Sequence, residues 1–146
     1  MRRRLVLRIT GIVQGVGFRP FLYHLATCRD LDGFVLNDDK GVLLEVEGEN
    51  KALAGLEELI RSQAPPLSKI GSIRVTRLPA AGHDGFEIRE SPRARRRRVP
   101  VAPDSAVCPD CLREILDPAD RRHRYPFTNC TNCGPRLTIV TDVPYD

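Results

Sequence analysis

The run Gly11-Ile12-Val13-Gln14-Gly15-Val16-Gly17-Phe18-Arg19-Pro20 constrains the fold of this chain more than any other segment. An alternating apolar stretch with Leu5, Leu7 and Ile9 leads into it, and an amphipathic pattern with Phe21, Leu22 and Leu25 leads out. Alternation is the period of a half-buried strand, and the following spacing is that of a helix face. The chain must therefore turn from strand to helix within a few residues. Gly15 and Gly17 lack a Cβ, so the main chain can curl there and approach a ligand closely. The first amides of a helix have no carbonyl partner within it, and the helix dipole favours negative charge at that end. Arg19, in the first turn, adds a planar fork of donors that can grip two oxygens of a phosphoryl group. Gln14, Gly15, Val16, Gly17, Phe18 and Arg19 are the expected phosphate-binding residues. The alternative is a plain tight turn followed by a surface arginine, the commoner meaning of an isolated Gly-x-Gly.

The rest of the first ninety residues completes two β-α-β units. A strand is expected over Leu5–Val13 and a helix over Arg19–Arg29, with Phe21, Leu22, Leu25 and Cys28 on its buried face. Cys28 is expected to be an inert core thiol, and His24 to lie on a solvated flank. Phe34–Asn37 and Val42–Glu47 flank the polar turn Asp38-Asp39-Lys40-Gly41 and read as a hairpin. Val42, Leu44 and Val46 should face one side of it, with Glu45 and Glu47 on the other. A second helix is expected from Asn50, as N-cap, to Gln63, with Leu53, Leu56, Leu59 and Ile60 buried and Pro65-Pro66 as a stop. Ile73 and Val75 mark a further strand, and Phe86 and Ile88 a last short one. The order βαββαβ plus a short strand predicts a ferredoxin-like α+β sandwich, two helices on one face of an antiparallel sheet. With no Trp and only 5% aromatic residues, its core should be aliphatic.

The glycine-rich run closely resembles the acylphosphatase signature, in which loop amides and an arginine hold the phosphoryl group. That family places its second functional residue, an asparagine, on the next strand after Gly-aromatic-Val-x. Gly33-Phe34-Val35-Leu36-Asn37 supplies it here, in the right order and on the expected element. The resemblance implies Arg19 and Asn37 as catalytic residues, with Asn37 orienting the attacking water. It implies no cofactor for hydrolysis and no side-chain base, the substrate's own phosphate taking the proton. Read without the resemblance, Asn37 would be a hairpin-entry residue, and Asp38 and Asp39 are read as turn residues.

The net charge of +4 belongs to one segment. Residues 1–90 carry 13 basic and 12 acidic side chains, whereas residues 91–146 carry 10 and 7. Arg93, Arg95, Arg96, Arg97 and Arg98 supply half of those ten, inside a stretch with Pro92, Pro100 and Pro103. Like charges and prolines without an apolar face predict an extended linker over 91–104. The domain expectation is thus 1–90, a linker over 91–104, and a small module over 105–146.

That module carries Cys108-Pro109-Asp110-Cys111 and, eighteen residues on, Cys130-Thr131-Asn132-Cys133. Two C-x2-C knuckles at this spacing can close on one tetrahedral zinc ion. The predicted ligands are Cys108, Cys111, Cys130 and Cys133, with His123 left out and a short helix over Leu112–Leu116. About forty residues have too little core to fold alone, and four thiolates leave no open position, so the zinc is structural. Disulfides are the competing pairing, disfavoured in a reducing compartment. The short Leu5–Ile9 run, interrupted by Arg8, argues against a secretory signal, so a cytoplasmic location is expected. No membrane association is expected.

Together, the first domain and Cys108-Pro109-Asp110-Cys111-Leu112-Arg113-Glu114 with Tyr125-Pro126-Phe127-Thr128-Asn129-Cys130-Thr131-Asn132-Cys133-Gly134-Pro135-Arg136 resemble the N-terminal part of the HypF family. These are carbamoyltransferases of [NiFe]-hydrogenase maturation. The resemblance implies carbamoyl phosphate, or another acyl phosphate, as substrate, and a maturation protein as acceptor of the carbamoyl group. It also implies further domains, including an ATP-using one, so the sequence ending at Asp146 reads as a front portion. The competing function is a binding module, the finger and basic linker engaging nucleic acid or a protein partner without catalysis. Nucleic acid is the lesser expectation, because no aromatics interleave the arginines to stack bases.

Overall fold

The structure is a computed structural model and describes residues 1–92, 106–130 and 133. The linker's arginine run, Arg93–Arg98, lies outside the described residues, as do Thr131, Asn132 and 134–146.

The first part folds as β1 (Arg2–Ile12), α1 (Phe18–Thr27), β2 (Asp32–Asp38), β3 (Gly41–Glu49), α2 (Asn50–Leu53), α3 (Leu56–Ser62), β4 (Lys69–Pro79) and β5 (Phe86–Ile88). The strands form one sheet in the order β4-β1-β3-β2-β5. β1 pairs antiparallel with β3 and β4, and β2 antiparallel with β3. The short β5 runs parallel to β2, so the sheet is mixed, where antiparallel pairing throughout was expected. β5 reaches β2 over a loop that folds back across the sheet, and this return sets its direction.

The helices cover one face. Leu7 and Ile9 of β1, Val35 of β2, and Val42, Leu44 and Val46 of β3 share a buried cluster with Leu22 of α1 and Ile60 of α3. The cluster is mainly aliphatic, as the composition implied. Alternation explains it: residues two apart share a face of the pleat.

Three sequence expectations are corrected. α1 buries Phe18, Leu22 and Ala26, and it stops at Thr27, so Cys28 is its exposed C-cap and not a core thiol. The second helix is two short pieces, broken where Gly55 adopts a left-handed φ of 69°. The break keeps Leu53, Leu56 and Ile60 all buried. Asn50 is the first helical residue, and Glu49 occupies the N-cap.

The opposite face of the sheet is covered in part. Glu47 is on that side as expected but is only 1% exposed, under the β4–β5 connection. Its carboxylate accepts the N–H of Ala81 at 2.6 Å and of Gly82 at 3.0 Å, and Arg2 lies 3.4 Å away. Glu45 accepts from Arg4 at 2.8 Å and pairs with His83 at 2.7 Å. Burial pushes the Glu47 carboxyl up, but three backbone N–H groups and Arg2 outweigh it, and it titrates below its ordinary value. Glu45 behaves likewise through His83 and Arg4.

Candidate functional site

The glycine turn occupies the junction between β1 and α1. Val13, Val16 and Phe18 point into the core and are 1–2% exposed. The backbone between them must bend sharply. Gly15 and Gly17 make this possible with φ of 70° and 77°, a region that penalises any side chain with a Cβ. Gly17 is the N-cap of α1, and it provides no side-chain hydrogen bond there. The first turn holds no acidic residue, so no side chain of that turn competes with an external anion for the positive end of the dipole. Arg19 is half-buried at the second helical position. Pro20 follows, within the first turn where a missing N–H breaks no helical bond.

Asn37 is 2% exposed near the end of β2, on the helix-covered face that it shares with Val35. It stands opposite Val42 of β3, which in turn stands opposite Ile9 of β1. Asn37 is therefore at the same end of the sheet as the turn leaving β1, two strands or about 10 Å across. The turn itself reaches over that gap. The Gln14 side chain is 1% exposed and donates from Nε2 to the carbonyls of Asp38 at 2.8 Å and Gly41 at 2.9 Å. Both partners are acceptors, which fixes the amide's orientation with nitrogen toward the hairpin.

The hairpin end is tied to β1 as well. Asp38 was expected in the turn but is the last residue of β2; it pairs with Arg8, and its carboxylate accepts the Lys40 N–H at 2.9 Å. Gly41 (φ 134°) lies so close to β1 that a Cβ would come within 2.2 Å of the Ile9 carbonyl. His24 is exposed on α1 beside Cys28, away from the core as expected. Sequence reading missed the side-chain role of Gln14, for which only main-chain contacts were foreseen. A polar residue between the inward-pointing Val13 and Val16 was the available signal.

The second site is the cysteine cluster. The four Sγ atoms of Cys108, Cys111, Cys130 and Cys133 all lie within 4.8 Å of one another. Cys108–Cys130 is 3.5 Å, and Cys111–Cys133 and Cys130–Cys133 are 3.8 Å. Thiolates at ~2.3 Å from a tetrahedral ion stand about 3.8 Å apart, so the donor set fits such a metal. Among the described residues these cysteines form no disulfide. Helix α4 (Pro109–Leu116) starts three residues earlier than expected, with Cys108 as N-cap and Pro109 at its first position. Its early start carries Cys111 into the helix, where the side chain is fully buried. Burial and the neighbouring sulfurs push the Cys111 thiol well above its ordinary range. The Cys130 N–H lies 3.4 Å from Cys133 Sγ, closing the second knuckle. His123 is exposed and outside the cluster.

Comparison with known proteins finds two family matches in the chain. Residues 5–88 match the acylphosphatase family, and residues 107–140 match the HypF finger. The carbamoyltransferase HypF of Rhizobium leguminosarum bv. viciae is 53% identical over 144 residues, covering 99% of this chain and 19% of that protein. The chain thus spans about a fifth of the length of this curated relative. An acylphosphatase of Methanocella arvoryzae is 40% identical over 82 residues, 56% of this chain and 92% of that protein. A crystal structure of full-length HypF in the phosphate- and nucleotide-bound form superposes with a TM-score of 0.90 at 45% identity, covering 100% of this chain and 19% of that one. Among the described residues no helix is long and apolar enough to cross a membrane. With a strand-to-helix glycine turn, a buried asparagine at the same sheet end and this match, the chain belongs to the acylphosphatase family and carries a HypF finger after that domain.

Proposed function

We propose that the chain hydrolyses acyl phosphates, carbamoyl phosphate first among them, as the front part of a HypF-type carbamoyltransferase. The observation that carries this reading is the turn Val13–Phe18, whose apolar side chains are buried and whose two glycines are left-handed, latched to the hairpin that bears Asn37. A solved full-length relative that includes such a domain is described as phosphate- and nucleotide-bound, which is in keeping with this reading.

In this reading the amides of Gln14–Phe18 and the Arg19 guanidinium hold the phosphoryl oxygens and stabilise the charge that grows as the P–O bond breaks. Asn37 holds a water in line with that bond. The water oxygen bonds to phosphorus, and its proton passes to a phosphoryl oxygen of the substrate. The bond to the acyl oxygen breaks with its electron pair, leaving carbamate and inorganic phosphate. A carboxylate-like leaving group departs without a strong acid, so a positioned water and a donor nest are enough.

The four cysteines would hold structural zinc, ordering residues 105–146 on the far side of a linker over 91–104. Transfer of the carbamoyl group to a hydrogenase maturation protein, with ATP, would fall to regions beyond these residues. A cytoplasmic setting suits both the reduced thiols and that role.

The test is phosphate release from carbamoyl phosphate by the intact chain. Arg19→Ala should lower turnover by about 10²–10³-fold, the effect of losing one preorganised donor, and Asn37→Ala should lower kcat while sparing phosphate affinity. Wild-type turnover in both variants would remove the assignment.

A further inference from the structure

We propose that the side chain of Gln14 is a positioning residue that sets Asn37 against the anion-holding turn. The proposal rests on the acylphosphatase reading and adds to it. Gln14 belongs to the turn, yet both hydrogens of its carboxamide nitrogen go to carbonyls of the β2–β3 hairpin, 24 and 27 residues away in sequence. Those carbonyls belong to Asp38 and Gly41, the last cross-strand pair before the hairpin turn. Asp38 is covalently next to Asn37, so a shift of its carbonyl is a shift of Asn37. Two further ties on this hairpin, Arg8 to Asp38 and the close approach of Gly41 to Ile9, run to β1. Gln14 thus couples the two halves of the site directly.

The chemistry of the latch is selective. Glutamate has the same length but would point an oxygen at two carbonyls, and asparagine is one methylene too short. Gln14 is 1% exposed, so water cannot replace its two bonds without entering the core. A methionine fills nearly the same volume with no donor, which separates the hydrogen bonds from the packing.

The experiment is a double-mutant cycle on the intact chain, with carbamoyl phosphate as substrate and inorganic phosphate as competitive inhibitor. Gln14→Met should lower kcat by about 10–100-fold, the range expected when a reacting group is misplaced by up to an ångström. The inhibition constant for phosphate should stay within about twofold, because the turn still holds the anion. In an Asn37→Ala background, Gln14→Met should produce almost no additional loss, since the residue it positions is gone. Equal losses in both backgrounds, or weakened phosphate inhibition with unchanged kcat, would overturn the latch while leaving the acylphosphatase reading intact. Full turnover in Asn37→Ala alone would instead sink that reading, and the latch with it. Should Gln14→Met fail to fold, exchange of the Gln14 carboxamide protons in the wild-type chain decides the matter. Slow exchange without phosphate is expected, and exchange as fast as an exposed glutamine contradicts the proposal.

Discussion

The two described regions of this chain bury very different side chains. Residues 1–90 bury an aliphatic cluster between the helices and one face of a five-stranded sheet, and part of the far face carries a polar network on Glu45 and Glu47. Among the described residues of the second module, the fully or nearly buried side chains are Cys111, Cys133 and Thr128, while Leu112, Leu116, Tyr125 and Phe127 are exposed. Two of its three buried side chains are therefore metal-ligand candidates. One region holds its shape by apolar burial, whereas the other is expected to depend on a metal held by its thiols. Catalysis and metal binding should then be separable.

The largest expected effect comes from removing the metal. A chelator should unfold the cysteine module, because structural zinc in small sites contributes roughly 10–16 kcal/mol. Circular dichroism and thiol titration would show the loss, and phosphate release from carbamoyl phosphate should persist. Loss of hydrolysis in step with the metal would break the separation. Next in size, Ile60→Ala deletes a fully buried side chain at the helix–sheet contact. It should destabilise the first domain by about 2–5 kcal/mol in urea unfolding and leave metal affinity unchanged.

A smaller effect sharpens the comparison through pH. Glu45 and Glu47 titrate below their ordinary value of 4.5 in the folded chain. Their contribution is complete above that value and disappears as pH falls through the lowered folded values, because the unfolded chain then binds more protons. Unfolding of the first domain should become easier below about pH 4.5, and Glu47→Gln should flatten that dependence while costing about 1–3 kcal/mol at neutral pH. An unchanged acid limb in the variant would show that Glu47 is not the group responsible.

Much of this was legible in the sequence because the relevant physics is local. The strand period around Leu7 and Ile9, the two glycines, and the C-x2-C spacing each act over a few residues. The buried stripe Leu53, Leu56 and Ile60 was readable too, but the helix break at Gly55 was not, since one glycine within a helical pattern is compatible with either outcome. Cys28 was misplaced because α1 ends one residue before it, and helix boundaries rest on capping geometry rather than on period. Burial of Glu47 and the Gln14 latch were illegible for another reason. Both depend on segments more than twenty residues away, the β4–β5 connection in one case and the β2–β3 hairpin in the other. The β5 direction is of the same kind.

The central claim is that a dianion sits on the turn between β1 and α1, facing the end of β2. The most direct measurement is an isotope-edited NMR titration of the intact chain with inorganic phosphate. The largest shifts should fall on the amides of residues 14–19 and on the Asn37 carboxamide, saturating together with one dissociation constant. Saturable shifts centred elsewhere, or none at these residues, would contradict the account.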